Sequence, residues 1–425
     1  MDVTAAEKQD RPRGGGWSRR SMLSGLLGAP VLLVAACSGS KDVTGRTGAS
    51  GASGASGGTP AGSSTPKPSV AKITVSPADG TTAAPFADPV TVTVQDGTLT
   101  SVTVTDGAGK AIAGQLAADG ASWTSTDRLA SGSTYAVTAA AVDKDKRPAD
   151  ANARFSTASP ANTFVGYFTP EDGSTVGVGM PVSINFNKPV TDRKAVEQAI
   201  TVVADPPVEV VGHWYDATRL DFRPERYWAK GTKVTLKLRL KDVAGAKGVY
   251  GTQSKDVTFT VGRSQVSVAD LRADTLTVTT DGVVSATYPV IGGAPDHRTW
   301  GGKMVISERY QETRMNSATV GLGSEYDIPD VPHAQRLTTS GTFIHGNYWS
   351  PAAQFGSANT SHGCIALQDV QGGGDPGTNA ARFFGSSMVG DVVEVVNSGD
   401  RTVNPSNGLN GWNLSWADWK AGSAL

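Results

Sequence analysis

The stretch HGNYWSPAAQFGSANTSHGC spans residues 345–364 and ends on one of only two cysteines in 425 residues. Structural cysteines usually keep apolar company, but Cys364 follows Ser361, His362 and Gly363, residues that suit an exposed turn with close backbone approach. A thiol attacks as thiolate, and at an unassisted pKa of about 8.5 it needs a base nearby. The chain has five histidines: His213, His297, His333, His345 and His362. His362 is so close in sequence to Cys364 that a tight turn points its ring away from the thiol. His297 lies in the upstream loop GGAPDHRTW, and His213 falls in another domain. His345 ends the strand-like run GTFIH and precedes Gly346, a position from which an imidazole reaches a neighbouring loop. Cys364 and His345 are therefore the leading dyad for nucleophilic acyl transfer. The backbone N–H groups of His362, Gly363 and Cys364 are the donors that a tetrahedral intermediate requires. On pattern alone, a non-catalytic arrangement of these residues stays equally open.

The N-terminal region sets the compartment. WSRRSMLSGLLGAPVLLVAAC, residues 17–37, places Arg19 and Arg20 before an apolar run of 15 residues from Met22 to Ala36. That run is too short to span a bilayer comfortably. The small pair Ala35 and Ala36 before Cys37 suits cleavage, so residues 1–37 read as an export signal. SRRSML resembles a twin-arginine signal and VAAC a lipobox, which implies lipidation of Cys37. The protein is then expected outside the cell, on the outer face of the cytoplasmic membrane in the cell-wall space, held by that lipid anchor. With Cys37 lipidated, Cys364 has no disulfide partner, and an unpaired thiol in an exported protein is a candidate reactive group. The 38 basic and 39 acidic residues leave a net charge of −1, with no basic patch to argue for nucleic acid.

Residues 38–69 form a Gly/Ala/Ser/Pro tether that cannot bury a core; its 44–69 portion spans roughly 25–30 Å on average. Two units then resemble one another. SPADGTT (76–82) recurs as TPEDGST (169–175), and SGSTYAVTA (131–139) is echoed by AKGTKVTLK (229–237). Short alternating strands between turn signals predict two immunoglobulin-like β-sandwiches, at 70–160 and 161–263, without an intersheet disulfide. They are read chiefly as spacers. A third, β-rich module begins at 264, with a hairpin turn at Asp281-Gly282 and strands at KMVIS (303–307), GTFIH (341–345) and DVVEVVN (391–397). A helix is expected at 378–388. In the 399–425 extension, expected to pack on this module, Trp412, Trp416 and Trp419 are spaced to share one face of a short helix.

The 345–364 stretch resembles the signature of the YkuD-type L,D-transpeptidases: histidine followed by glycine or serine, a spacer, then [ST]-H-G-C. The resemblance covers about 264–425, with 264–398 as catalytic domain. The lipobox, paired sandwiches and tryptophan-rich tail are similar to the actinobacterial lipoprotein branch. It implies a mainly β fold and an enzyme that cross-links peptidoglycan without a cofactor or metal. Cys364 would form an acyl-enzyme from a tetrapeptide stem, releasing D-alanine. The amine of another stem's diamino acid would resolve it into a 3→3 link. It further implies His345 as the base, Gly346 orienting its imidazole through the carbonyl, and His362 and Gly363 in the oxyanion pocket. The implied substrate-binding set is Tyr326, Ser340, Gly341, Met315 on a flap at RMNSATVG (314–321), Trp349 and Ala366. Carbapenem-type β-lactams are the implied inhibitors. Two positions depart from the family pattern. Ala366 replaces the usual Asn or Arg two residues after the cysteine, and Val320 stands where the flap often carries tyrosine. Asn359 and Gln368 are the candidates to supply the missing donor.

Two alternatives compete with transpeptidation. An L,D-carboxypeptidase would use the same residues with water as acceptor, and a wall-binding lipoprotein would leave the dyad without a use. A zinc site is disfavoured because the histidines and the cysteine of the third module show no tight paired spacing.

Overall fold

A computed structural model describes residues 67–425, except Leu322. The export signal, Cys37 and the tether up to residue 66 lie outside the described residues. Among the described residues no helix is long and apolar enough to cross a membrane.

The first sandwich packs a four-stranded sheet (Lys72–Ser76, Thr91–Gln95, Ser122–Ser125, Gly114–Leu116) against a three-stranded one (Gly97–Asp106, Thr134–Asp143, Pro148–Ser156). Alternation drives this packing. Along Thr134–Asp143 the side chains of Tyr135, Val137, Ala139 and Ala141 are buried with Trp123 and Val92, while their neighbours face outward. The second sandwich pairs two four-stranded sheets around Trp214, Leu220, Leu236 and Phe259.

The repeated sequence motif has a physical cause. In each copy an Asp-Gly pair clips onto the last long strand of its own sandwich. Asp79 Oδ1 accepts from Arg154 N (2.7 Å), and Gly80 N donates to Arg154 O (2.8 Å). Asp172 Oδ1 and Gly173 N make the same two bonds to Thr258, both 2.7 Å. Both glycines have positive φ, +77° and +74°, which is why glycine recurs there.

The third module is built on a nine-stranded sheet. Its order is Gly302–Val305, Val392–Val396, Gln265–Asp270, Thr275–Thr280, Val283–Ile291, Ile365–Gln368, Phe343–Asn347, Asp327–Arg336, Glu308–Asn316. The Asp281-Gly282 turn lies where expected, both residues at positive φ, and the helix spans Asn379–Ser386. The parallel pairing of Phe343–Asn347 with Ile365–Gln368 sets His345 opposite Ala366. Residues far apart in sequence thereby become lateral neighbours.

The C-terminal segment packs on two partners. Asn410 Oδ1 accepts from Val305 N (2.9 Å) and Asn413 Oδ1 from Lys303 N (2.8 Å), both on the edge strand of the large sheet. Trp412 Nε1 donates to Gly179 O and Trp419 Nε1 to Val211 O, both in the second sandwich. Trp416 and Trp419 lie on one short α-helix, Trp416–Ala421, capped by Ser415 at Asp418 N, whereas Trp412 sits on a separate 3-10 turn, Gly411–Asn413, so the three do not share one helix. The three rings nevertheless converge on Arg223, whose guanidinium carbon lies 4.8, 5.4 and 4.3 Å from the centroids of Trp412, Trp416 and Trp419.

Arg223 is buried, and burial pulls its pKa down to about 10. It donates to the carbonyls of Pro224 and Leu414, both at 3.0 Å, and has no carboxylate partner among the described residues. Its charge is held by ring faces and carbonyl dipoles, with the Glu225 carboxylate acting only at longer range. Arg223→Ala is expected to cost about 2–4 kcal/mol, from lost cation–π contacts and hydrogen bonds to a charge. Arg223→Met should cost less, because it keeps volume and removes a desolvated ion. Urea unfolding of the purified protein measures both; an alanine variant as stable as wild type would refute this account of the junction.

Candidate active site

Cys364 and His345 open into one cleft, with Met315, Tyr326, Trp349, His362 and Ala366 also on its walls. Gly363 has a φ of +104°, a conformation that an L side chain rarely adopts, so the turn before the thiol requires glycine. The turn is fixed by Ser361, whose Oγ donates to Cys364 O at 2.7 Å and accepts from Gly363 N at 3.2 Å. The Gly363 amide is therefore already engaged.

The thiol lies against the loop before the histidine strand. Cys364 Sγ is 3.7 Å from Gly341 O and accepts from Phe343 N at 3.4 Å. Burial raises its pKa to about 11, with the Phe343 amide opposing. His345 is also buried, which depresses its pKa below the ordinary 6.5 against the opposing effect of the Gly346 carbonyl. Both shifts favour the uncharged forms, so at neutral pH the pair rests as thiol and imidazole.

The imidazole's tautomer follows from one contact. His345 Nδ1 lies 2.8 Å from Gly346 O, and a carbonyl can only accept. Nδ1 thus carries the proton and Nε2 keeps its lone pair, as a base requires. Trp349 stacks on the other side of this ring, with centroids 5.9 Å apart and planes inclined by 18°. Gly346 has little choice of residue, because a Cβ there would come within 2.1 Å of Asp369 Oδ2. Asp369 is itself held by His333 Nδ1 (2.7 Å) and Thr378 Oγ1 (2.9 Å).

The remaining expected residues divide into walls and supports. Tyr326 lines the cleft, and its hydroxyl pKa is pushed up to about 12 by burial and by the nearby Cys364 and Glu325. His362 Nε2 lies 3.3 Å from Glu325 Oε2, with its ring 5.0 Å from Tyr326 and 5.1 Å from His297. Ser340 is not on the cleft wall; it is tied to the C-terminal segment. Asn407 Oδ1 accepts from Ser340 N (3.0 Å) and Thr339 Oγ1 (2.7 Å), and its Nδ2 donates to Ser340 Oγ (2.9 Å). Gly341 packs so closely on Val320 that a Cβ would lie 2.3 Å from Val320 Cγ1.

Ala366 is buried with Ile291 and Phe355 on the cleft floor. Neither expected substitute supplies a donor there. Asn359 is spent on Gly292 N, Leu271 O and Asp274 Oδ1, and Gln368 is exposed outside the cleft. Sequence reasoning missed Asn407 and the rim group His297, Glu325 and His362, whose ligand-capable atoms lie within 4.8 Å of one another. Paired spacing was the signal sought for a metal site, and these residues come from three separate loops.

Residues 264–395 match the model of the L,D-transpeptidase catalytic domain, and 81–244 match a bacterial Ig domain. The chain is 34% identical over 411 residues to L,D-transpeptidase 2 of Mycobacterium tuberculosis, covering 96% of each chain. It is 32% identical over 331 residues to L,D-transpeptidase 5 of the same species, covering 76% of this chain and 70% of that one. A solved L,D-transpeptidase in complex with imipenem shares 32% identity at a TM-score of 0.47, over 56% of this chain and 100% of the other. The chain belongs to the L,D-transpeptidase family.

If thiol and imidazole are both neutral at rest, the ultraviolet thiolate absorbance of wild type minus Cys364→Ser should stay flat through neutral pH. It should rise only toward about pH 11. A step at or below pH 7 would instead mean a preformed thiolate–imidazolium pair.

Proposed function

We propose that this protein cross-links peptidoglycan as a cysteine-dependent L,D-transpeptidase, with Cys364 as nucleophile and His345 as general base. The observation that carries the reading is the fixed tautomer of His345, which leaves Nε2 free in the cleft that also holds the Cys364 thiol. Because both groups rest uncharged, the proton moves as attack proceeds. His345 Nε2 takes the thiol proton while Sγ bonds to the carbonyl carbon of the third residue of a tetrapeptide stem. The carbonyl oxygen becomes an oxyanion, for which the backbone N–H groups of His362 and Cys364 are the turn's donors once Gly363 N is given to Ser361. Collapse breaks the C–N bond to D-alanine, whose nitrogen receives the proton from His345. The side-chain amine of a second stem's diamino acid then attacks the thioester, His345 takes the amine's proton, and Cys364 leaves as thiol with a 3→3 link formed.

Intact-mass measurement with a tetrapeptide stem tests this directly. Wild type should show the acyl-enzyme and dimeric product, and Cys364→Ala neither. His345→Ala should lose activity about as fully as Cys364→Ala, since members of one catalytic unit are not additive. His362→Ala should retain more turnover, because its part lies in the backbone; the reverse order would move the base to His362. Hydrolysed tripeptide without dimer would make the enzyme a carboxypeptidase. A carbapenem should leave an adduct on wild type and none on Cys364→Ala, and an unmodified wild type would count against a working acyl-donor pocket.

We further propose that the catalytic module works in the cell-wall space, tethered by residues 38–69 to a lipid on Cys37. Support comes from the SRRSML and VAAC motifs. Membrane fractionation of cells expressing the protein with Cys37→Ala should release it to the soluble fraction, and retention equal to wild type would remove the anchor.

A further inference from the structure

At the rim of the cleft, three side chains converge without forming hydrogen bonds to one another. His297 Nε2 lies 3.5 Å and His362 Nε2 3.3 Å from the same oxygen, Glu325 Oε2. A tetrahedral zinc site with bonds of about 2.1 Å has ligand-to-ligand edges of roughly 3.4 Å, so two of the three edges already match. Two imidazoles and one carboxylate form a donor set suited to zinc and other late first-row divalent ions, whereas calcium and magnesium prefer oxygen donors throughout. Asp296, with Oδ2 3.8 Å from His297 Nε2, is the other carboxylate within reach.

The backbone prearranges this group. The loop carrying His297 is bound to the nucleophile turn by Ser361 N to Gly292 O (2.9 Å) and Ala294 N to Ser361 O (2.8 Å). Glu325 precedes Tyr326, whose N and O are both bonded to Ser317 at the flap tip. The three ligands thus stand on an upstream loop and the turn that presents Cys364, which are bonded to each other, and on the separately held flap.

We propose that His297, Glu325 and His362 bind a divalent ion of the zinc class, and that the bound ion slows acylation by pinning the flap to the nucleophile turn. Tyr326 and His362 both line the cleft, so fixing them together narrows the donor's approach to Cys364. The regulatory half rests on the transpeptidase reading; the binding half does not.

The test uses untagged, metal-stripped protein. In a Cys37→Ala/Cys364→Ala background, where no thiol can take the metal, calorimetry with Zn²⁺ should show one ion per chain. Adding His297→Ala or Glu325→Gln should weaken it by about tenfold or more, with circular dichroism unchanged. No stoichiometric binding, or binding untouched by either substitution, overturns the site. With Cys364 intact, His297→Ala and Glu325→Gln should acylate like wild type in metal-free buffer, while Zn²⁺ slows wild type far more than either variant. Equal inhibition of all three overturns the regulatory half and assigns the inhibition to the thiol itself. Absence of acylation in metal-free wild type would overturn the transpeptidase reading and leave the calorimetric result standing.

Discussion

The hydrogen bond from His345 Nδ1 to Gly346 O fixes which imidazole nitrogen keeps its lone pair, and it places the backbone at 346 tightly between the ring and Asp369. Much of the third module is arranged around that contact. Asp369 fills the space a Cβ would occupy at Gly346, and His333 and Thr378 hold Asp369 in place. The parallel pairing of the histidine strand with the strand following Cys364 supplies the lateral register. Trp349 covers the imidazole from the side and keeps it desolvated, which holds the ring neutral and available as a base.

Support for the thiol comes from further away. Gly341 O faces Cys364 Sγ, and the preceding residues of that loop are held by Asn407 from the C-terminal segment. That segment is in turn held by Arg219 of the second sandwich, which donates to Ser406 O and Gly408 O, both at 2.7 Å, while paired with Asp221. A continuous set of hydrogen bonds therefore runs from the immunoglobulin-like domain to the loop beside Cys364. The sandwiches are expected from sequence chiefly as spacers. The second one also braces this loop, and its core is continuous with Val305 on the edge strand of the large sheet.

How much of this was legible in the sequence depends on whether the signal was local. The H-G-C turn, the Asp281-Gly282 hairpin and the Asp-Gly repeat each declare themselves within a few residues, because a backbone at positive φ selects for glycine. The flap was legible as a segment but not as two long strands. Glu308–Asn316 carries mostly polar residues, and Asp327–Arg336 is interrupted by Pro329 and Pro332, so neither alternates cleanly. Asn407 and the group at His297, Glu325 and His362 were not legible at all. Their partners are contributed by loops whose proximity is fixed only by the closed sheet. The tryptophan spacing gave the right clustering with the wrong local structure, since convergence on Arg223 does not require one continuous helix.

On the proposed reading, the cleft floor would hold the donor without a side-chain hydrogen bond from residue 366. Ala366 offers no hydrogen bond, Asn359 is fully committed, and Asn347 is spent on Ser350 and Trp349. One absent hydrogen bond is worth about 0.5–1.5 kcal/mol, or several-fold in donor affinity. On the proposed mechanism the placing of His345 does not depend on the side chain at 366, because strand register and the bond to Gly346 O set the imidazole. For a soluble enzyme on a free peptide, the weaker grip would lower the rate at low substrate. On the reading proposed here, the enzyme is tethered beside a polymeric substrate. Its effective concentration is then set by tether length, and a flexible linker commonly gives values in the millimolar range. A several-fold loss in intrinsic affinity is small against such a concentration, so the tether and the apolar floor are compatible features of one design.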